Sequence, residues 1–466
     1  MTASTPTQPS AEGQDLIPQG IKISWSFGAL GVAFMMNTVA GLSLFYLISV
    51  LNIPPAVAGV VVFVPKLFDA ITDPLVGTWS DRLAAGKSRR RPFLLAGSIL
   101  APLAFLMIFT TPVFESQIVT IAYVFTALMI FALGYTIFNI PYMSMPAEMT
   151  DDYHERSSIH SFRVIAFSVG GFFAGSGVPF VLERLGRTDW TSYATVGGVG
   201  AAIIFITMMI TWVGTANARF TDAAPERPKL LSELGHVFTN RHFIRLLLLK
   251  LCQLFGVAAT IAAFKYFILN VMQKDFDDIA IYGVVVGIVS LVTAPLFVRL
   301  SKVIGKSQTY IVATSCNLIA VSSWIFTEPG EPMIFLLLRG VLLGASGAGN
   351  VIMAMSILTD IINYDANRTG VRREGVFTAF YSFIEKFTFS LGPLVVGVAL
   401  QIAGYSEDLS KEAKQSEEIR QALLLGVAYI PAAMGILSIW LLSGYKLKES
   451  DISATPAKNS ASAPAE

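Results

Sequence analysis

Apolar residues in this chain come in runs of about 20, broken by short polar stretches. That is the pattern of helices that cross a bilayer rather than of elements half-buried in a soluble domain. Twelve runs are readable, near residues 24–50, 55–80, 92–112, 117–140, 160–184, 192–214, 243–272, 278–300, 308–326, 333–360, 374–404 and 421–445. The longest internal polar stretch, "ANARFTDAAPERPKLLSELGHVFTNRH", falls between the sixth and seventh. It predicts an N-terminal six-helix half over 21–214, an inter-half loop over 215–241 and a C-terminal half over 242–446. Residues 1–20 and 447–466 are polar and read as disordered ends; with no apolar signal core ahead of it, the first run is expected to act as its own insertion signal.

Two segments repeat in position. "TDPLVGTWSDRLAAGK" (72–87) and "TAPLFVRLSKVIGK" (293–306) each close the second span of a half, and both run from T-x-P-L to a basic Gly-Lys end. The expected fold class is therefore an all-α membrane protein of twelve transmembrane helices in two six-helix pseudo-repeat halves, the outline of the major facilitator architecture. Its site lies between the halves near the midplane.

Composition agrees. Of 466 residues, 54% are hydrophobic and 14% charged, with mean hydropathy +0.62, against roughly 25% charged in soluble domains. The net charge of +1 gives no bias toward nucleic acid. Cys252 and Cys316 sit in apolar runs as small hydrophobes, and the four histidines lack ligand spacing. No span carries H-E-x-x-H or G-x-S-x-G, so an enzyme is not expected, nor any cofactor beyond a coupling ion. Lys and Arg crowd the loops after spans 2, 8 and 10 and are sparse in the loops between (111–117, 273–278, 327–332), which predicts both termini in the cytoplasm.

Charge inside the runs is rare, and ionised side chains at bilayer depth are seldom kept without a task. In "KLFDAITDPLVGTW", Lys66, Asp69 and Asp73 share one helical face. A helix from Pro55 climbs about 21 Å to Asp69, past the midplane. Asp69 and Asp73 bring four carboxylate oxygens together, so either one keeps a proton or a cation sits between them; Thr72 adds a hydroxyl. An all-oxygen set suits Na⁺ or a proton. The plainer reading pairs Lys66 with Asp69 and leaves Asp73 at the rim. A packing scaffold or sensor would have little use for the two acids. In span 11, Glu385 and Lys386 differ by about 100° in direction, so only one is expected in the cavity, and Lys386 is chosen. Lys265, near the outer end of span 7, is expected to snorkel to the interface.

The chain resembles the glycoside–pentoside–hexuronide:cation symporters, the melibiose-permease-like branch of the major facilitator superfamily. The matching pieces are "FDAITDPLVG" (68–77), "GYTIFNIPY" (134–142), the "FR" of "SFRVIAF" (161–167), "LTDIINYDANRTGVRREG" (358–375) and "IEKF" (384–387). The resemblance implies that Asp69 and Asp73, with Thr72 and Thr136, bind Na⁺ or H⁺. It further implies that Arg163, Lys386, Tyr135 and Ser382 line the solute site, and that Asp360, Arg156 and Arg372 form an inner gate of salt bridges across the halves. Where melibiose-type carriers keep acids or aromatic platforms against the sugar, this chain has Ala33, Asn139, Met143 and Val351. The implied function is cation-coupled symport of a sugar-like solute by alternating access. The alternative on the same fold is a cation-coupled carrier of a lysolipid or other amphiphile. A monomer in a bacterial inner membrane is expected, with the solute, a monovalent cation and the lipid bilayer as partners.

Overall fold

The computed structural model describes residues 17–445 except 83–89, 113, 151–152, 219–238, 370–372 and 406–415. Among the described residues it holds twelve helices long and apolar enough to cross a membrane, and no strand. They are α1 (Gln19–Val50), α2 (Pro55–Gly77), α3 (Arg91–Phe109), α4 (Gln117–Pro146), α5 (Ser158–Leu185), α6 (Trp190–Gly214), α7 (Arg241–Val271), α8 (Phe276–Ile304), α9 (Lys306–Phe326), α10 (Met333–Thr369), α11 (Gly375–Ile402) and α12 (Glu417–Ser443).

Two expected boundaries moved. The run ending at 140 continues through Pro141, because a proline inside a bundle removes only one ladder bond and neighbouring helices hold the bend. The run ending at 360 extends to Thr369, where buried Asp365 accepts hydrogen bonds from Asn240 and Arg373, both at 3.3 Å. The polar N-terminal stretch is shorter than expected. Ile17 is buried, its N–H donates to Glu155 at 3.0 Å, and the helix starts at Gln19. Residues 1–16, most of the inter-half loop (219–238) and the tail from 446 lie outside the described residues.

The pseudo-repeat is visible in backbone detail. α1 and α7 each widen to a π turn in their last five residues, Tyr46–Val50 and Phe267–Val271. Each is then turned by a residue of positive φ, Asn52 (52°) and Gln273 (56°). The same sequence offset separates Asn52 from Gln273 and Thr72 from Thr293, so the short T-x-P-L match belongs to a genuine structural repeat.

Twelve crossings bring Gln19 and Ser443 to one face, here the terminal face; the other is the distal face. At the distal face the halves interlock. Tyr266 donates to the Leu44 carbonyl at 3.0 Å, and the Phe45 ring packs on Tyr266 and Phe276. Gly59 and Gly397 let α2 and α11 touch backbone to backbone: a Cβ on Gly397 would lie 2.4 Å from the Pro55 carbonyl oxygen. At the terminal face, the ion pairs between described residues stay within one half: Lys22–Glu155, Arg90–Glu148, Lys306–Asp360 and Arg373–Asp365. Among the described residues the cross-half contacts gather at the distal face and at mid-depth, so the cleft between the halves faces the terminal side; Asn37, Met143, Val351 and Ser382 are exposed.

Candidate functional site

At mid-depth of α2 two prolines, Pro65 and Pro74, bracket the acid pair. Pro74 has no N–H, so the Ala70 carbonyl loses its ladder donor beside the acids. Both carboxylates face α4 and α11.

Asp69 is 6% exposed. Its Oδ1 accepts from the fully buried Thr136 hydroxyl of α4, which also lies 3.0 Å from Asp73 Oδ1. The other two oxygens meet one ammonium: Lys386 Nζ of α11 is 2.7 Å from Asp69 Oδ2 and also bonded to Asp73 Oδ2. The result is a ring of two carboxylates closed on one side by a hydroxyl of the same half and on the other by a lysine of the opposite half. A threonine hydroxyl carries a single proton. It can satisfy one of the two Oδ1 atoms; the other then faces an oxygen lone pair unless a proton or a cation lies between them. With one ammonium bonded to two carboxylates, the ring, when both acids are ionised, carries a second negative charge that no hydrogen-bonded cation answers.

Lys66 does not neutralise Asp69. Its ammonium lies 5.5 Å from the Phe389 ring centroid and makes no ion pair with a described residue, acting on Asp69 only through space from beyond ion-pair distance. It lines a small cavity of about 40 Å³ with Asp69, Tyr135 and apolar side chains of α1, α2 and α4. Thr72 turns its hydroxyl back to the Asp69 carbonyl at 3.2 Å, so it supplies an oxygen to the ring only after a side-chain rotation.

The remaining residues fall around this ring. The Lys386 ammonium sits 5.3 Å from the Tyr135 ring centroid, and the Tyr135 hydroxyl accepts from Asn139 at 3.1 Å. Arg163 on α5 stacks loosely on Phe167 at 5.9 Å, and its buried Nε has no hydrogen-bond partner. Met143, Val351 and Ser382 are exposed. Ala33 does not line the opening: it is fully buried where α1 meets α5, and a Cβ on Gly170 would lie 3.0 Å from its own. Asp360 accepts two hydrogen bonds from Lys306 of its own half, at 2.7 and 2.6 Å, rather than bridging the halves. The side chain of Arg156, and all of Arg372, lie outside the described residues.

Three groups were misread or missed. Lys265 does not snorkel; its ammonium donates across the halves to the Gly41 carbonyl at 2.7 Å, which is reachable because Gly41 has no side chain in the way. Lys250, in the run "LLLLKLCQLF", is buried and faces Glu385 at 3.8 Å; a lone ammonium in an apolar run was the available signal. Asn37, exposed at mid-depth of α1, bonds only back to the Ala33 carbonyl at 2.8 Å.

The chain as a whole resembles known membrane transporters. It is 30% identical over 436 residues, 92% of each chain, to the uncharacterized symporter YjmB of Bacillus subtilis (strain 168). It is 25% identical over 441 residues, 93% of each chain, to the putative glycoside/cation symporter YagG of Escherichia coli (strain K12). Its fold matches a bacterial homolog of the human lysosomal transporter Spinster with a TM-score of 0.65 at 14% identity, covering 92% of this chain and 98% of that one. The chain is an integral membrane transporter of the symporter type, not an enzyme. The profile of the family described as MFS/sugar transport protein matches residues 24–449, and the chain belongs to that family.

Proposed function

We propose that this protein carries a sugar-like solute, a glycoside, pentoside or hexuronide, across the bacterial inner membrane together with Na⁺ or H⁺. The observation that supports this most is the ring formed by Asp69, Asp73, Thr136 and Lys386. Its two sides belong to different halves, so whatever occupies the ring bears directly on how the halves sit. In the state described, Lys386 holds the position of a positive charge against both acids. A cation arriving between Asp69 Oδ1, Asp73 Oδ1 and the Thr136 hydroxyl cancels the remaining negative charge and frees Lys386 to turn toward the solute. Solute and cation then raise each other's affinity by the same factor, which is the thermodynamic content of coupling. With both termini in the cytoplasm, the terminal face is the inner one and this state is open to the cytoplasm.

The glycoside part of the reading rests on polar groups of α4 beside the ring, Tyr135 and Asn139, and on the likeness to the putative glycoside/cation symporter YagG. The test is concentrative uptake in everted or right-side-out vesicles by Asp69→Cys and Asp73→Cys variants. Both are expected to lose ion-driven accumulation while expressing normally; accumulation that still follows a Na⁺ or pH gradient in both would remove the basis of the proposal. Thermal stabilisation of the purified protein by glycosides, uronic acids and lysolipids, with and without Na⁺, separates the solute classes.

A further inference from the structure

One charged pair in the cleft has no part in the ring. Glu385 precedes Lys386 on α11, yet its side chain is 44% exposed at the middle of a spanning helix. Its carboxylate turns to Lys250 of α7 at 3.8 Å, and it is near enough to Tyr135 of the opposite half to be felt there, which puts it on the cleft side of α11. Behind it stands Lys250 of α7, 6% exposed, with its ammonium 4.7 Å from the Tyr381 ring centroid. The Nζ–Oε2 separation is 3.8 Å, beyond hydrogen-bond length. Lys250 therefore neutralises Glu385 without occupying its lone pairs.

An ionised carboxylate only accepts hydrogen bonds. The ligand that matches Glu385 must donate, and because Lys250 already balances the charge, the donor need carry no charge of its own. Hydroxyl groups fit that description, and two adjacent hydroxyls can bond both oxygens at once. On the N-terminal half Ala33 is sealed in helix packing and Asn139, with one amide N–H given to Tyr135, offers a neutral carbonyl acceptor, so Glu385 adds a charged acceptor from the C-terminal half. The geometry points to Glu385, held in place by Lys250, as the specificity-determining residue that accepts hydroxyl hydrogens from the solute. This rests on the proposed sugar-like solute and names the group that selects its hydroxyls.

The experiment uses the full chain in detergent with Na⁺ and a panel of 4-nitrophenyl glycosides with their single-deoxy analogues. Glu385→Gln is expected to bind the best parent glycoside roughly 10- to 100-fold more weakly, the loss expected for a hydrogen bond to a charged acceptor. It is expected to bind one particular deoxy analogue as well as the unaltered protein does, because that analogue lacks the hydroxyl in question. Glu385→Asp, which keeps the charge beside Lys250 but withdraws the oxygens by one methylene, should lose the same contact. Lys250→Arg should retain binding, and Na⁺ should stabilise all variants equally, showing an intact ring. Equal affinity of unaltered protein and both Glu385 variants for the parent glycoside, or equal weakening for every deoxy analogue, overturns the assignment while leaving the solute class standing. If no glycoside binds the unaltered protein and a lysolipid does, both fall.

Discussion

Besides the distal contact of α1 with α7, the two halves meet along two seams, α2 with α11 and α5 with α8, and these are built from different chemistry. The α2–α11 seam has glycines at its distal end, Gly59 against Gly397, and at mid-depth the buried ring of Asp69, Asp73 and Lys386. The α5–α8 seam also has close backbone approach, with Gly283 against Gly175 and Ser176, but its charges are at the distal end. There Arg184 pairs with Asp277 at 2.6 Å, Arg187 bridges Glu183 and Asp275, and Glu183 accepts the N–H of Phe276 at 3.0 Å. Charges that half face water form a latch of modest strength, since solvent already satisfies them when they part. Charges at mid-depth have no such alternative, and the two halves can separate there only if something replaces the lost partner. That difference assigns holding to one seam and coupling to the other.

The sharpest way to break the comparison is Lys386→Met. Removing one partner of a buried ion cluster costs about 3–5 kcal/mol, so the apparent melting temperature should fall strongly in the absence of cation and recover on adding Na⁺. A fall no larger than that of a surface variant would make the two seams equivalent. Gly397→Leu comes next. Its Cβ would lie 2.4 Å from the Pro55 carbonyl oxygen, so α2 and α11 must part at the distal end. In a background lacking Cys252 and Cys316, a cysteine at Ala56 should then label several-fold faster with an impermeant thiol reagent applied from the distal side. Arg187→Glu is the smallest. A half-exposed latch is worth roughly 1 kcal/mol or less, so the variant should raise the same labelling slightly, and the rise should shrink at high salt.

How much was readable beforehand differs by level. Twelve crossings were legible because a bilayer forces every spanning segment to be a long apolar run, and such runs need no partner to be seen. The acid pair was legible for the same reason, as charge standing out against that background. The resemblance placed Thr136 with the acids and Lys386 at the solute site; the structure brings Lys386 onto the acids themselves. Partners chosen by packing were harder to see. The neighbour of Lys265 is a backbone carbonyl at Gly41, which carries no sequence mark. The rule that adjacent helical positions cannot both face a cavity excluded Glu385, but it assumed a cavity on one side of α11. In the structure Lys386 reaches sideways to α2 while Glu385 stays open to the cleft.

By itself, the sequence determined that this chain lives in a membrane as two similar six-helix halves and that Asp69 and Asp73 share a face at depth, because helix periodicity and the exclusion of water act locally. Only the tertiary structure decided that Lys386 rather than Lys66 answers those acids, that Asp360 is held by Lys306, and that Ala33 is walled in. Each of those outcomes depends on which side chains from distant segments arrive within about 3 Å, the range at which hydrogen bonds form and a charge pair inside the bundle is strongest.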